Sequence, residues 1–402
     1  MLAGLQVVEV ASWTYVPAAA AVLADWGADV IKIESPETGD PQRGLSSSGM
    51  VPVAPNGVEY LFELPNRGKR SVALNLRSPE GRDLLLELVA TADVFLTNFL
   101  PPLRASLGID VDDIRKANPD CIYVRGSAQG PRGPESDKGG YDASHFWGRV
   151  VAEWITPSGS PWPVDQPGAA FGDLLSSMSL AAGICSALLH RERTGETVVV
   201  DSSLLATALW ATGVNIVAAG LFDMSNMPKV DRRQMANPLA NTYRTADGRF
   251  LTLTMLQSDR FWPELVRTIG RAELADDPRF CDAASRAEHR VACIDALEAI
   301  FATRTLREWQ LVLGDIEGVW APMQTAAELL DDPQVAANGY VREIEGDSGA
   351  RFRVVPSPVQ FDEAPPDLVR APLHGEHTDE VLIDLGLDMD QIIDLKIKGA
   401  IL

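Results

Sequence analysis

Residues 5–34, LQVVEVASWTYVPAAAAVLADWGADVIKIE, decide the fold. LQVVEV is a short apolar run of strand character. The Ala-rich stretch from Pro17 to Trp26 reads as a helix, and ADVIKIE is a second run rich in β-branched residues. Strand, helix, strand over some thirty residues is one βαβ unit of the nucleotide-binding type. Working outward, the pattern repeats. SVALNL (71–76) is a strand, and SPEGRDLLLELVATA (78–92) is a helix opened by Ser78 and Pro79 as cap and first residue. DVFLTNF (93–99) is the next strand, DDIRKANPD follows as a helix, and CIYVRGSA (121–128) is another strand. The reading is α/β, with a Rossmann-like parallel sheet that takes ligands at the carboxyl ends of its strands. The turn after the first strand, ASWTYVPA, has no GxGxxG, so a dinucleotide cofactor is not expected.

Beyond this sheet the texture changes. Tyr141 to Ala170 is rich in Gly, Pro, Trp and Ser and reads as a long loop with a helix around His145 to Ile155, the kind of loop that carries function. From Gly172 apolar residues recur at three- and four-residue intervals for two dozen residues, until Thr194 and Gly195 stop the helix. TVVVD is a further strand, and Ser202 to Leu221 reads as one apolar helix. The polar, Pro-bearing segment 225–245 resembles a linker. It leads into a smaller α+β domain with a hairpin turning at Asp247 and Gly248, then helices from Asp259 to about Val312. The expected division is a large domain over 1–205 completed by 366–402, a linker over 206–227, a small domain over 228–325 and a return linker over 326–365.

A chain of 402 residues with 46% hydrophobic content can bury two cores. Its formal charge of −21 argues against nucleic acid, which needs a basic face. A small anionic ligand needs only a local cluster, and Arg43, Arg67, Lys69, Arg70, Arg77, Arg104, Arg125, Arg132 and Lys138 bunch in the N-terminal part. Cys121, Cys185, Cys281 and Cys293 show no CxxC spacing and read as buried thiols of a reducing compartment. No stretch reads as a signal peptide or as long enough to span a membrane, so a cytoplasmic protein is expected. The five histidines have no metal-ligand spacing and no GxSxG elbow is present, so neither a metal site nor a Ser-His-Asp hydrolase is expected.

Asp173 stands out among candidate chemical groups. It follows Gly172 in the first turn of the long helix, where free amides and the helix dipole favour an anion, so it is expected to stay ionised. Asp at such a place is most often a plain cap. The glycine before it, which allows close approach of a ligand, and the long loop upstream favour function.

Taken together, the motifs resemble the family III coenzyme A transferases, which include formyl-, crotonobetainyl- and bile acid related enzymes. The segments are LADWGADVIKIESPETGDPQR (23–43), NRGKRSVALNLRSPEGRDLL (66–85), ADVFLTNFLP (92–101), NPDCIYVRGSAQGPRGP (118–134), GDLLSSMSLAAGICSALLHRERTGE (172–196), APMQTAAELLDDPQVAANGY (321–340) and GEHTDEVLIDLGL (375–387). The resemblance implies that Asp173 is the nucleophile. It implies CoA contacts at Thr14 and Tyr15, at Leu74, Asn75 and Leu76 near adenine, and at Asn98, Phe99 and Arg104 beside the phosphates, with Tyr141 and Asp142 near the thioester. It further implies acyl-CoA and a free carboxylic acid as substrates, no permanently bound cofactor, and an interlocked homodimer. Backbone amides at Gly172 or near Tyr141 are expected to stabilise oxyanions. Ser12 and Ser35 stand where some members have His and Arg, and Arg104 lies two residues from its usual place. The alternative, an α-methylacyl-CoA racemase, needs a His before Asp142. The residue there is Tyr141, and tyrosine, with an ordinary pKa of about 10, is a poor base at neutral pH.

Overall fold

Six short strands build the sheet on which everything else is hung: β1 Gln6–Val10, β2 Asp29–Glu34, β3 Arg70–Ala73, β4 Val94–Thr97, β5 Ile122–Ser127 and β6 Val199–Ser203. The computed structural model describes residues 1–46 and 48–402. All five strand pairings are parallel and the order is β3-β2-β1-β4-β5-β6, so the direction of winding reverses between β1 and β4. Consecutive residues point to opposite faces. Val7, Val94, Leu96 and Val124 enter one core, and Val8, Val10, Phe95 and Tyr123 another. The first core is covered by helix α1 (Tyr15–Asp25) and helix α2 (Phe171–Thr194). The second is covered by Pro79–Ala90, Val111–Ala117 and two C-terminal helices, Thr378–Asp384 and Met389–Ile397.

Local chemistry explains most boundaries. Ser78 accepts a hydrogen bond from the Gly81 amide with Pro79 at the first position, as expected. Helix α1 begins two residues before the expected start because Pro17 falls in its first turn, where no amide is needed. The segment expected to be a helix around His145 to Ile155 is a π-helix over Asp142–Val151 followed by one α-helical turn over Ala152–Ile155. The apolar stretch 202–221 is not one helix but two, α3 (Leu204–Ala211) and α4 (Gly213–Phe222), bent by 69°. Thr212, whose hydroxyl turns back to the Ala208 carbonyl, and Gly213 sit at the break.

Two further expectations are corrected. At 24 residues, with a stretch of mean hydropathy 1.4, α2 is long and apolar enough to cross a membrane by length and composition. Here its Leu180, Ala181 and Ile184 lie in the core shared with α1. Of the four free cysteines, Cys121 and Cys293 are buried, Cys185 is half-buried and Cys281 is exposed.

The chain divides into two compact units, 1–226 with 334–402, and 227–333. In the first, the returning segment packs along β3. The Ala73 amide donates to Thr378 Oγ1, the His377 amide to the Ser71 carbonyl, and Leu74 bridges Ile401. The second unit is an antiparallel sheet of β7 (Ala240–Arg244), β8 (Phe250–Thr254) and β9 (Trp320–Pro322), the first two joined by the turn at Asp247 and Gly248. Its core is filled by Trp262, Trp309, Phe301 and Tyr243.

Candidate active site

A cleft of about 620 Å³ opens where β1 and β4 end, at the reversal of winding where open α/β sheets place ligands. Asn98, just past β4, clamps the two strand ends together. Its Oδ1 accepts from the Ser12 amide at 3.1 Å and its Nδ2 donates to the Ser12 carbonyl at 2.6 Å. Trp13 follows with φ of 70° and stands edge-on to Tyr141, ring centroids 5.7 Å apart. Both rings line the cleft with Tyr15, Phe99, His145 and Asp173.

The start of α2 delivers Asp173. The helix is entered through Ala170, itself left-handed at φ 62°, and its first turn is held by Asp142. Asp142 Oδ2 accepts from the Gly172 amide at 2.9 Å and from Gln166 Nε2 at 2.6 Å. Gly172 cannot be replaced cheaply, since a Cβ there would run into the Phe146 ring and Asp142 Oδ1. On the cleft lining, Gly126 of β5 plays the same part for α1: a Cβ would strike Val16.

Asp173 is not left with an ordinary acidity. Burial, and next the charge of Asp142, push its pKa up to about 7, so near neutral pH it is poised between ionised and neutral rather than firmly ionised as its helix position suggested. The helix amides that would lower it are turned to Asp142, whose own pKa is raised by burial against those hydrogen bonds. Of the amides expected to stabilise an oxyanion, that of Gly172 donates to Asp142 and, in the Tyr141 region, that of Tyr141 itself donates to Ser144 Oγ.

The residues implied to touch CoA divide. Tyr15, Asn98, Phe99 and Tyr141 line the cleft with Asp173. Thr14 is buried behind it against Gln42. Asp142 sits behind the first turn of α2. Arg104 donates to the Phe99 carbonyl and pairs with Asp110 beside a smaller crevice. Leu74, Asn75 and Leu76 lie at the end of β3, outside this lining, where the Asn75 amide meets the Ala400 carbonyl. Most of the N-terminal cations are committed internally: Arg43 to Glu34, Arg67 to Asp25, Lys69 to Glu9, Arg70 to Asp29 and Arg125 to Asp201. The cation on the cleft lining is Lys138.

Sequence reasoning missed Trp13, Gln166 and a buried charge network under the β1 turn. Lys32 Nζ lies 2.8 Å from both Glu9 and Asp40, and Lys69 Nζ lies 2.6 Å from Glu9. A signal existed: Glu9 and Lys32 interrupt apolar strands of a parallel sheet, and charges there must pair.

A doubly wound sheet with a half-buried carboxylate facing a cleft at its switch point is the arrangement of an α/β protein that binds a ligand there. The profile of CoA-transferase family III matches residues 2–378, and the chain belongs to that family. It is 32% identical to the (R)-2-hydroxy-4-methylpentanoate CoA-transferase of Clostridioides difficile, over 98% of each chain. It is 31% identical to the cinnamoyl-CoA:phenyllactate CoA-transferase of Clostridium sporogenes, over 98% of this chain and 96% of that one. The crystal structure of a CaiB/BaiF family protein from Brucella suis superposes with a TM-score of 0.79 at 30% identity, covering 96% of this chain and 99% of that one. The protein is thus a family III CoA-transferase with CoA thioesters as substrates.

Proposed function

We propose that the protein moves CoA from an acyl-CoA thioester to a free carboxylic acid with Asp173 as nucleophile. The observation that carries this is the state of Asp173: half-buried on the cleft lining, with its pKa raised first by that burial and then by the charge of Asp142. A carboxylate stripped of stabilising partners is a stronger nucleophile once ionised. It attacks the thioester carbonyl to give a mixed anhydride and CoA thiolate. The thiolate then attacks the aspartyl carbonyl, releasing the donor acid and leaving an aspartyl-CoA thioester. The acceptor carboxylate attacks that thioester, expelling thiolate and forming a new anhydride. The thiolate takes the new acyl group and restores the Asp173 carboxylate. Of the expected CoA contacts, Tyr15, Asn98, Phe99 and Tyr141 share the cleft lining with Asp173, and Tyr141 is the one expected near the thioester.

The test is chemical. Incubation with acyl-CoA and hydroxylamine converts Asp173 to a hydroxamate, seen as a mass change on the peptide holding Gly172 and Asp173. A racemase gives no adduct and instead exchanges the α-hydrogen of a 2-methylacyl-CoA with heavy water. Rapid exchange without an adduct overturns the assignment.

The same reading includes a homodimer. It is supported by the apolar face of α3 and α4, where Trp210 is 87% exposed and Val214, Leu221 and Phe222 stand out beside it. Light scattering at micromolar concentration that finds monomers contradicts it.

A further inference from the structure

Among the described residues, five other than glycine have positive φ: Trp13, Ala170, Asp223, Asp362 and Glu363. The last three are acidic residues outside strands and helices. The first two flank the cleft, one at the β1 turn and one at the entry to α2. Trp13 is the outlier, since a bulky side chain disfavours the left-handed region. Its ring is half-buried on the cleft lining, so core packing does not reward that conformation. Strain at such a place points to a function held by its surroundings.

The surroundings are specific. The Trp13 amide donates to Asp40 Oδ1 at 3.1 Å. The same oxygen accepts from the Gln42 amide at 3.0 Å, and Asp40 Oδ2 lies 2.8 Å from Lys32 Nζ. Asp40's own amide donates to Glu34 Oε2 at 2.8 Å, so the residue is held through its backbone as well as through both carboxylate oxygens. Asp40 and Lys32 are buried, and Lys32 is held in turn by Glu9 and the Ala11 carbonyl. Rotating Asp40 away would free the Trp13 amide and strip a buried ammonium of one partner.

We infer that Asp40 is a positioning residue of the substrate cleft: anchored by Lys32, it holds Trp13 in its left-handed conformation and so sets the indole as a wall against the extended, uncharged chain beside the thioester. This rests on the cleft taking an acyl-CoA. Two stretches of such a substrate share that chemistry, the pantetheine arm and the acyl chain, and the measurement separates them.

The experiment is a double-mutant cycle with acyl-CoA donors of increasing chain length, alongside calorimetric binding of free CoA. Trp13→Ala and Asp40→Ala are each expected to raise KM about tenfold with kcat within about threefold, and the double variant to match Trp13→Ala alone, because Asp40 acts through the ring. Asp40→Asn, which keeps an acceptor for the Trp13 amide, recovers most of the loss. A loss that grows with acyl length places the ring on the acyl chain, whereas an equal loss for every donor and for free CoA places it on the pantetheine arm. Should Asp40→Ala fail to fold, Trp13→Gly compared with Trp13→Ala carries the test. The KM rise is expected to be the same, with a higher melting temperature for glycine, which accepts positive φ. Multiplicative effects of the two single variants, or a Trp13→Gly protein with wild-type KM and no melting advantage over Trp13→Ala, overturn the inference. Wild-type protein that transfers no CoA and gives no Asp173 adduct would instead sink the transferase reading, a separate failure.

Discussion

Glu9 and Asp173 are carboxylates of the same unit, one fully buried and one half-buried on the cleft lining, and their surroundings treat them oppositely. Glu9 receives two ammonium groups, from Lys32 and Lys69, and is held below the usual carboxylate range although burial alone would raise it. Asp173 receives no cation, only a second carboxylate, and rises to about 7. The sheet interior compensates the charge of Glu9, whereas the cleft leaves uncompensated the one proposed to act as nucleophile. Lys69 shows what the compensation costs, since its burial, with Lys32 near, pushes its own pKa down to about 7 against the pull of Glu9.

Variants on the two sides of this contrast should fail in different assays. Asp173→Ala is expected to lower turnover by at least about a thousandfold while CoA binding stays within about tenfold, because the role proposed for the lost group is covalent. Near wild-type turnover would erase the distinction. Glu9→Ala leaves two buried lysines without their shared partner and should lower stability by about 3–5 kcal/mol, read as a drop in the denaturant midpoint. Unchanged stability would mean the network is neutral. A third measurement sharpens the Asp173 side. Since attack needs the ionised form, kcat/KM should fall below a pH of about 7, and Asp142→Asn should move that limb about one unit lower by removing the neighbouring charge. A limb that stays put would leave burial as the whole cause. The smallest effect is on stability. The folded pKa of Asp173 is raised above its ordinary value, so the native state holds a proton that the unfolded chain releases. That contribution fades as pH climbs from about 4 through about 7. Asp173→Asn should therefore be more stable than wild type by about 1 kcal/mol at pH 8 and no more stable at pH 4, the figure being kept below the full shift because the group faces a solvated cleft.

What the sequence made legible follows from the range of the interactions. The six strands, the helix cap at Ser78 and the turn at Asp247 and Gly248 are written in runs of a few residues, so they were readable. Asp173 was readable from its glycine and from family motifs, but its acidity was not, because Asp142 lies 31 residues away and its carboxylate occupies the amides that would have acidified it. Lys69 looked available to a phosphate, yet it answers Glu9, 60 residues distant. The break at Thr212 and Gly213 hid inside a uniformly apolar stretch, where composition is the same on both sides of the bend.

The way residues 371–402 return to β3 bears on how the chain is made. The amide of Ala73 finds its acceptor in Thr378, and the two positions after β3, Leu74 and Asn75, find their partners at Ile401 and Ala400. During synthesis, β3 emerges from the ribosome some three hundred residues before the groups that cover it. The unit spanning 227–333 has all its own strands and core in one continuous stretch and is free to fold as it appears. The large sheet must wait with an unfinished edge until residues 371–402 have been made, so over that stretch of synthesis the nascent chain is exposed to misassociation and in need of chaperones.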